Sequence, residues 1–211
     1  MNDQSIYFRR KLPHYQPSNA TFFITFRLAN SLPREIVMRL RKEREEELRL
    51  AGKNKILSYK VQRKYFGKFD EYLDRVNHGQ MWLRDKRIAK LIADTLQYWN
   101  GKRYELQCYC IMPNHVHLVL TINGETNVKQ VNNLSYALSR ILHSIKRHTA
   151  REANTLLGRT GAFWQHESYD HVVRNGKELE RIISYVLHNP MTAGLTKDWQ
   201  QWKWSYVRDI V

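Results

Sequence analysis

Two histidines separated by a single residue are the most chemically suggestive feature of the sequence. His115 and His117 flank Val116 within an apolar segment whose residue types predict a β-strand. Side chains on a strand alternate between its two faces, so both imidazoles should project from one exposed face while Val116 points into the core. Two converging imidazoles can bind a metal ion, although this short pattern is weak evidence by itself.

A second pair with chemical potential lies near the end of the chain. Tyr185 and Asn189 are four residues apart and therefore share one face of a helix. Together they offer a phenol as a nucleophile and an amide oxygen as a third metal ligand. The alternative is a surface tyrosine, with Asn189 as an ordinary helix cap before Pro190.

The elements that must position these residues follow from the periodicity of apolar side chains. β-Branched and aromatic runs predict strands over 21–28, 104–112 and 115–122. Apolar spacings of three and four predict helices over 87–99, 127–151 and 177–188. We expect one α+β domain over residues 1–211, with a Trp-rich tail over about 196–211 that packs on the sheet. Residues 34–85 are predicted to be a helical insertion, in which a charged helix over 34–50 packs on a second helical piece.

The charge of the chain indicates the class of its partner. Thirty-five Lys and Arg against twenty Asp and Glu leave a net charge of +15, which attracts polyanions such as nucleic acid. The apolar runs are too short to span a membrane, and no secretory signal is visible, so we expect a cytoplasmic protein. Cys108 and Cys110 lack a second pair, which excludes a disulfide framework and a zinc ribbon and leaves them as core residues.

Candidate DNA-contacting residues lie in a basic N-terminal arm, on one helix face and in a later loop. They are Arg9, Arg10, Lys11, Arg140, Arg147, Trp164 and Arg174. Residues 126–151 carry five basic residues and no acidic one, which favours phosphate contacts over a merely solvated face. Trp164 is a candidate for stacking on a base, and core packing is the alternative for its ring.

Several of these segments resemble the single-tyrosine HUH transposases and, among them, the REP-associated tyrosine transposases. The similar segments are Met112-Pro-Asn-His-Val-His117, Trp164-Gln165, Tyr169-Asp-His171 with Arg174-Asn175, and Tyr185-Val-Leu-His-Asn-Pro190. Shorter similarities near both ends extend the resemblance over nearly the whole chain. The insertion over 34–85 is longer than in compact members of the group.

The resemblance implies a central antiparallel sheet flanked by helices, the HUH endonuclease or ferredoxin-like arrangement, with the histidines on a middle strand. It implies a divalent ion, Mg²⁺ or Mn²⁺, held by His115, His117 and Asn189, with Tyr185 as the nucleophile. A glutamine occupies the position of Asn189 in related insertion-sequence transposases. The implied activity is cutting and joining of single-stranded or REP-like hairpin DNA through a 5′-phosphotyrosine, and a monomer is favoured over a homodimer.

Tyr169 competes with Tyr185 for the role of nucleophile, because an acid and an imidazole follow it directly in the sequence. Adjacent residues do not share a face on a helix or a strand, so this neighbourhood need not exist in space. An ion held by Asn189 and the two histidines would lie near the hydroxyl of Tyr185. The geometry therefore favours Tyr185.

Two other functions compete with transposition. A zinc hydrolase is one, but metallo-β-lactamase-like sites continue to an Asp-His pair, whereas Leu118 to Leu120 follow the histidines here. A regulator that binds nucleic-acid hairpins without cutting them is the other. Nothing in a sequence with both histidines and Tyr185 excludes that regulator.

Overall fold

The computed structural model describes residues 6–9, 13–16, 20–75, 79–122 and 137–208. Within these residues the strands are β1 (Ile6–Arg9), β2 (Pro13–Gln16), β3 (Ala20–Arg27), β4 (Glu105–Ile111), β5 (His115–Ile122), β6 (Tyr169–Val172) and β7 (Ser205–Val207). The α-helices are α1 (Arg34–Ala51), α2 (Lys55–Asp74), α3 (Lys86–Trp99), α4 (Ala137–Leu156) and α5 (Gly176–Thr192).

Five strands form an antiparallel sheet in the order β6, β3, β5, β4, β7. The strand with the two histidines, β5, is its middle member, and His117 lies opposite Thr25 of β3 and Cys110 of β4. The predicted α+β class, with a central antiparallel sheet and the histidines on a middle strand, is confirmed.

Helices cover both faces of this sheet. Val116 and its same-face neighbours along β5 are buried against α3 and α4. The opposite face, which includes Val119 and Phe23, is covered by α5 and by Phe66 of α2. His115 and His117 lie on this second face and are fully buried. The expectation that their face is exposed is therefore wrong, because α2 and α5 pack over it.

The predicted insertion is a helical hairpin of α1 and α2. Asn54 caps α2, and its side-chain oxygen accepts hydrogen bonds from the backbone of Ile56 and Leu57 at 3.0 and 3.1 Å. The two helices are joined by exposed ion pairs such as Lys68–Glu43 at 2.7 Å, which contribute little to stability. The buried side chain of Leu73, near the end of α2, faces away from solvent.

Three predicted elements differ from the observed ones. The helix α5 continues past Pro190 to Thr192, because the amide of Ala193 still donates to the carbonyl of Asn189 at 3.0 Å. The helix predicted over 127–151 extends to Leu156, and its first ten residues, 127–136, lie outside the described part. The Trp-rich tail contacts the sheet as expected, but it does so as β7, an edge strand that pairs with β4.

Candidate metal centre

The two histidines of β5 direct the same ring nitrogen toward one point. Their Nε2 atoms lie 2.9 Å apart. The Nδ1 atom of His117 is 2.8 Å from the hydroxyl of Thr25, and the Nδ1 atom of His115 is 2.6 Å from the side-chain oxygen of Asn114. Such partners orient the imidazoles and leave Nε2 as the free ligand atom. Burial lowers the pKa of His117 to about 3 and that of His115 well below its usual value, so both rings are neutral at pH 7.

Two carboxylates from α2 face these imidazoles. Asp70 and Asp74 are one helical turn apart and so share a helix face. A carboxylate oxygen of Asp70 lies 3.7 Å from Nε2 of His117, and one of Asp74 lies 3.5 Å from Nε2 of His115. Burial raises the pKa of Asp70 well above its usual range. Burial also raises the pKa of Asp74 to about 7, although a hydrogen bond from Asn189 opposes the shift.

Asn189 completes the cluster from α5. Its side chain is buried, and its amide nitrogen donates to Asp74 at 2.9 Å. Its side-chain oxygen, both carboxylate oxygens of Asp70 and one oxygen of Asp74 are buried without a hydrogen-bond donor in the described part of the chain. Buried acceptors without donors are costly, and a cation is the simplest species that satisfies several of them together.

These residues fit a divalent metal ion. Nitrogen and oxygen atoms of Asp70, His115 and His117 all lie within 4.8 Å of one another. Neighbouring ligands of an ion with bonds of about 2.1 Å are about 3 Å apart, so little movement is needed to bind one. Two imidazoles together with oxygen donors suit Mn²⁺ and related ions. Mg²⁺ prefers a shell made only of oxygen atoms.

Tyr185 lies at the edge of this cluster. Its side chain is 39% exposed, and its ring centroid is 5.6 Å from that of His117. It lines a groove of about 650 Å³ between α2 and α5, which also contains Asp74. Tyr169 lines the same groove, but its ring is stacked on Phe66 at 3.7 Å and burial raises its pKa above the usual value.

The family model of the IS200-like transposases matches residues 74–189, more than half of the chain. The chain belongs to the IS200-like transposase family. The match includes the histidine pair, Tyr185 and Asn189, and it begins at the last residue of α2. Most of the α1–α2 hairpin of this IS200-like transposase thus lies outside the family match.

Two relatives support the resemblance to REP-associated tyrosine transposases. One such protein from Haemophilus influenzae is 23% identical over 109 residues, which are 51% of this chain and 61% of that protein. The match therefore covers less than two thirds of the relative's length. A solved REP-associated tyrosine transposase, bound to a REP hairpin, shares the fold with a TM-score of 0.50 and 16% identity, over 94% of this chain and 80% of the other.

The structure brings some of the predicted site residues of this transposase together and separates others. His115, His117, Asn189 and Tyr185 lie close together, with Asn189 linked to His115 through Asp74. Arg140 and Arg147 are exposed on α4. Their exposure agrees equally with a face that contacts phosphates and with a solvated face. The exposed Arg174 lies over the ring of Tyr59 at 3.8 Å. Arg10, Lys11 and the side chain of Arg9 lie outside the described residues.

Trp164 is buried in the core. Its ring is 7% exposed and packs edge-on against Phe26 at 4.9 Å, and its indole nitrogen donates to Thr149 at 2.8 Å. No open face remains for stacking on a base, so its location agrees with the core-packing alternative.

Sequence reasoning missed Asp70, Asp74 and two arginines of the groove, Arg63 and Arg75. The available signal was the pair of acids four residues apart, among the aromatic residues of α2.

None of the described helices of this IS200-like transposase combines the length and apolarity that a membrane crossing requires.

Proposed function

We propose that the chain cuts and rejoins single-stranded DNA, with a REP-like hairpin as its substrate and Tyr185 as the nucleophile. The observation that carries this proposal is the position of Tyr185, half exposed in the groove and beside the ring of His117. The REP hairpin bound by the solved relative supports hairpin DNA as the substrate class.

His115, His117 and Asn189 would hold a divalent ion. When bound, the ion neutralises charge on the phosphate and orients it. The oxygen of Tyr185 attacks the phosphorus, and its proton leaves to solvent through the groove. The bond from phosphorus to the 3′ oxygen breaks, and that oxygen takes a proton from solvent. The products are a 5′-phosphotyrosine and a free 3′-hydroxyl, which can later attack the same phosphorus and release Tyr185.

The groove walls supply the groups that DNA requires. Three arginines, Arg63, Arg75 and Arg181, line the groove together with aromatic rings. Guanidinium groups bind phosphates in bidentate geometry, and aromatic rings can stack on unpaired bases. A single strand suits this groove because its bases are free to stack.

A covalent adduct is the decisive test. A labelled REP-like hairpin with single-stranded flanks is incubated with the protein and Mn²⁺ or Mg²⁺, and the adduct is detected on a denaturing gel. We expect Tyr185→Phe to eliminate the adduct, because only the attacking oxygen is lost. Tyr169→Phe should reduce it modestly, and Tyr98→Phe, at an exposed tyrosine of α3, is the control. A phosphotyrosyl peptide that contains Tyr169 would refute the assignment, and binding without any adduct would favour the hairpin-binding regulator.

We also propose that one chain contains a complete site. Helix α5 packs on the sheet of its own chain, where Asn189 donates to Asp74. A mixture of His117→Ala and Tyr185→Phe proteins should therefore remain inactive. Recovered adduct formation in that mixture would show that the tyrosine is supplied by a second chain.

A further inference from the structure

Helix α2 contributes a buried acid that the fold does not use. Asp70 is 2% exposed, and neither of its carboxylate oxygens has a hydrogen-bond donor among the described residues. Its nearest ion-pairing atom is Nε2 of His117, 3.7 Å away, on a ring that burial keeps neutral. A buried carboxylate without partners destabilises a protein, so packing does not explain an acid at this position.

The second acid repeats the pattern one turn later. Asp74 accepts one hydrogen bond, from Asn189, while its other oxygen has no donor in the described part and lies 3.5 Å from His115. One oxygen of Asp70 and one nitrogen of each histidine thus lie within 4.8 Å of one another, and the free oxygen of Asp74 adjoins the imidazole of His115. Ligand atoms of a single ion are arranged in this way.

We propose that Asp70 and Asp74 are ligands of the same divalent ion as the two histidines, and that the ion fastens the α1–α2 hairpin to the sheet. This inference rests on the metal site of the proposed function. It adds two charged ligands from α2: Asp70 lies outside the family match, and Asp74 is the first residue of that match. The insertion is then part of the metal centre.

The end of α2 contacts the rest of the fold on both sides of Asp70. The side chain of Asn114 donates to the backbone oxygen of Leu73 at 3.1 Å, and Phe66 packs edge-on against Phe23 at 5.5 Å. Asp70 lies between these contacts along α2, and Asp74 directly follows Leu73. The ion removes the cost of burying the two acids, so its binding stabilises the docked position of α2. That helix forms one wall of the groove, and the ion therefore also orders the DNA-binding surface.

The test measures metal binding and the docking of the α1–α2 hairpin on the sheet, and it uses no DNA. Protein freed of metal with EDTA is titrated with Mn²⁺, followed by calorimetry and by the electron spin resonance of free Mn²⁺. Asp70→Asn should weaken Mn²⁺ binding about tenfold or more, since a ligand matters at least as much as its outer-shell partners. Asp74→Asn is the second variant, and Glu71→Gln removes an exposed acid from the same helix as the control.

Thermal unfolding and hydrogen exchange test whether the ion holds the α1–α2 hairpin on the sheet. Mn²⁺ at about one hundred times its Kd should raise the Tm of the wild-type protein by about 5–10 °C. The ion should also slow amide exchange in α2. Both effects should shrink in Asp70→Asn at the same Mn²⁺ concentration, while Glu71→Gln keeps them.

His117→Ala separates this inference from the proposed function. Unchanged Mn²⁺ affinity in both Asp70→Asn and Asp74→Asn, together with lost affinity in His117→Ala, would overturn the role of the acids and leave the histidine site intact. Unchanged affinity in all three variants would overturn both. Mn²⁺ binding that leaves exchange in α2 unaltered would refute the fastening of the hairpin.

Discussion

In the metal-free protein, the buried carboxyl of Asp74 should make stability depend on pH. Burial raises the pKa of this group from 3.8 to about 7. The folded state therefore holds the proton more tightly than the unfolded chain does. The stabilising contribution is complete below the unfolded pKa, and it is lost as pH rises through the folded pKa. Asp74→Asn removes the titrating group while keeping an oxygen that can accept the hydrogen bond from Asn189.

The size of this pH dependence follows from the shift in the pKa of Asp74. A difference of about three pKa units, at about 1.36 kcal/mol each, sets an upper limit of about 4 kcal/mol. Because the two pKa values lie near 3.8 and 7, roughly 2–3 kcal/mol of this falls between about pH 5 and about pH 8. Between these two pH values, the free energy of unfolding of the wild-type protein should fall by about 2–3 kcal/mol more than that of Asp74→Asn.

Urea unfolding in EDTA measures this difference directly. Free energies of unfolding are determined at several pH values for the wild-type protein, Asp74→Asn and Asp94→Asn, which removes an exposed carboxylate from α3 as a control for lost charge. A difference between wild type and Asp74→Asn that stays constant with pH would refute the reasoning. It would mean that Asp74 is hydrated and that α2 does not cover the histidines without metal. Saturating Mn²⁺ should reverse the trend, because ligation requires the deprotonated carboxylate.

Two further predictions concern residues outside the metal centre. Trp164→Ala should lower the free energy of unfolding by about 3–5 kcal/mol, because it removes a buried ring and its hydrogen bond to Thr149. Urea unfolding tests this prediction. An unchanged urea midpoint would place the ring on the surface. Arg140→Ala combined with Arg147→Ala should reduce the log–log salt dependence of single-strand binding by about 1.4 without changing Tm, since each phosphate contact contributes about 0.7. An unchanged slope would make these two residues part of a merely solvated face, and Lys90→Ala on α3 is the control.

Local patterns in the sequence were sufficient to predict much of the site. The period of two along β5 placed both imidazoles on one side of the strand, and the spacing of four placed Tyr185 beside Asn189. The strands and helices around these residues were predicted for the same reason. Which residues share a face depends only on the backbone geometry of one element.

The covering of that face was decided by tertiary structure. The sequence of α2 indicated a helix packed on α1, but nothing local showed that its acids turn toward the sheet. Asp74 and Asn189 are hydrogen-bonded across 115 positions of sequence. Trp164 reaches the core in the same nonlocal way, through Phe26 of β3.

The sequence by itself thus determined the composition of each helix and strand face, and the net positive charge that attracts polyanions. Only the tertiary structure decided that the histidine face is buried and that Asp70 and Asp74 join it. Packing between distant segments depends on the shape and burial of the whole core, and no spacing within a single element contains that information.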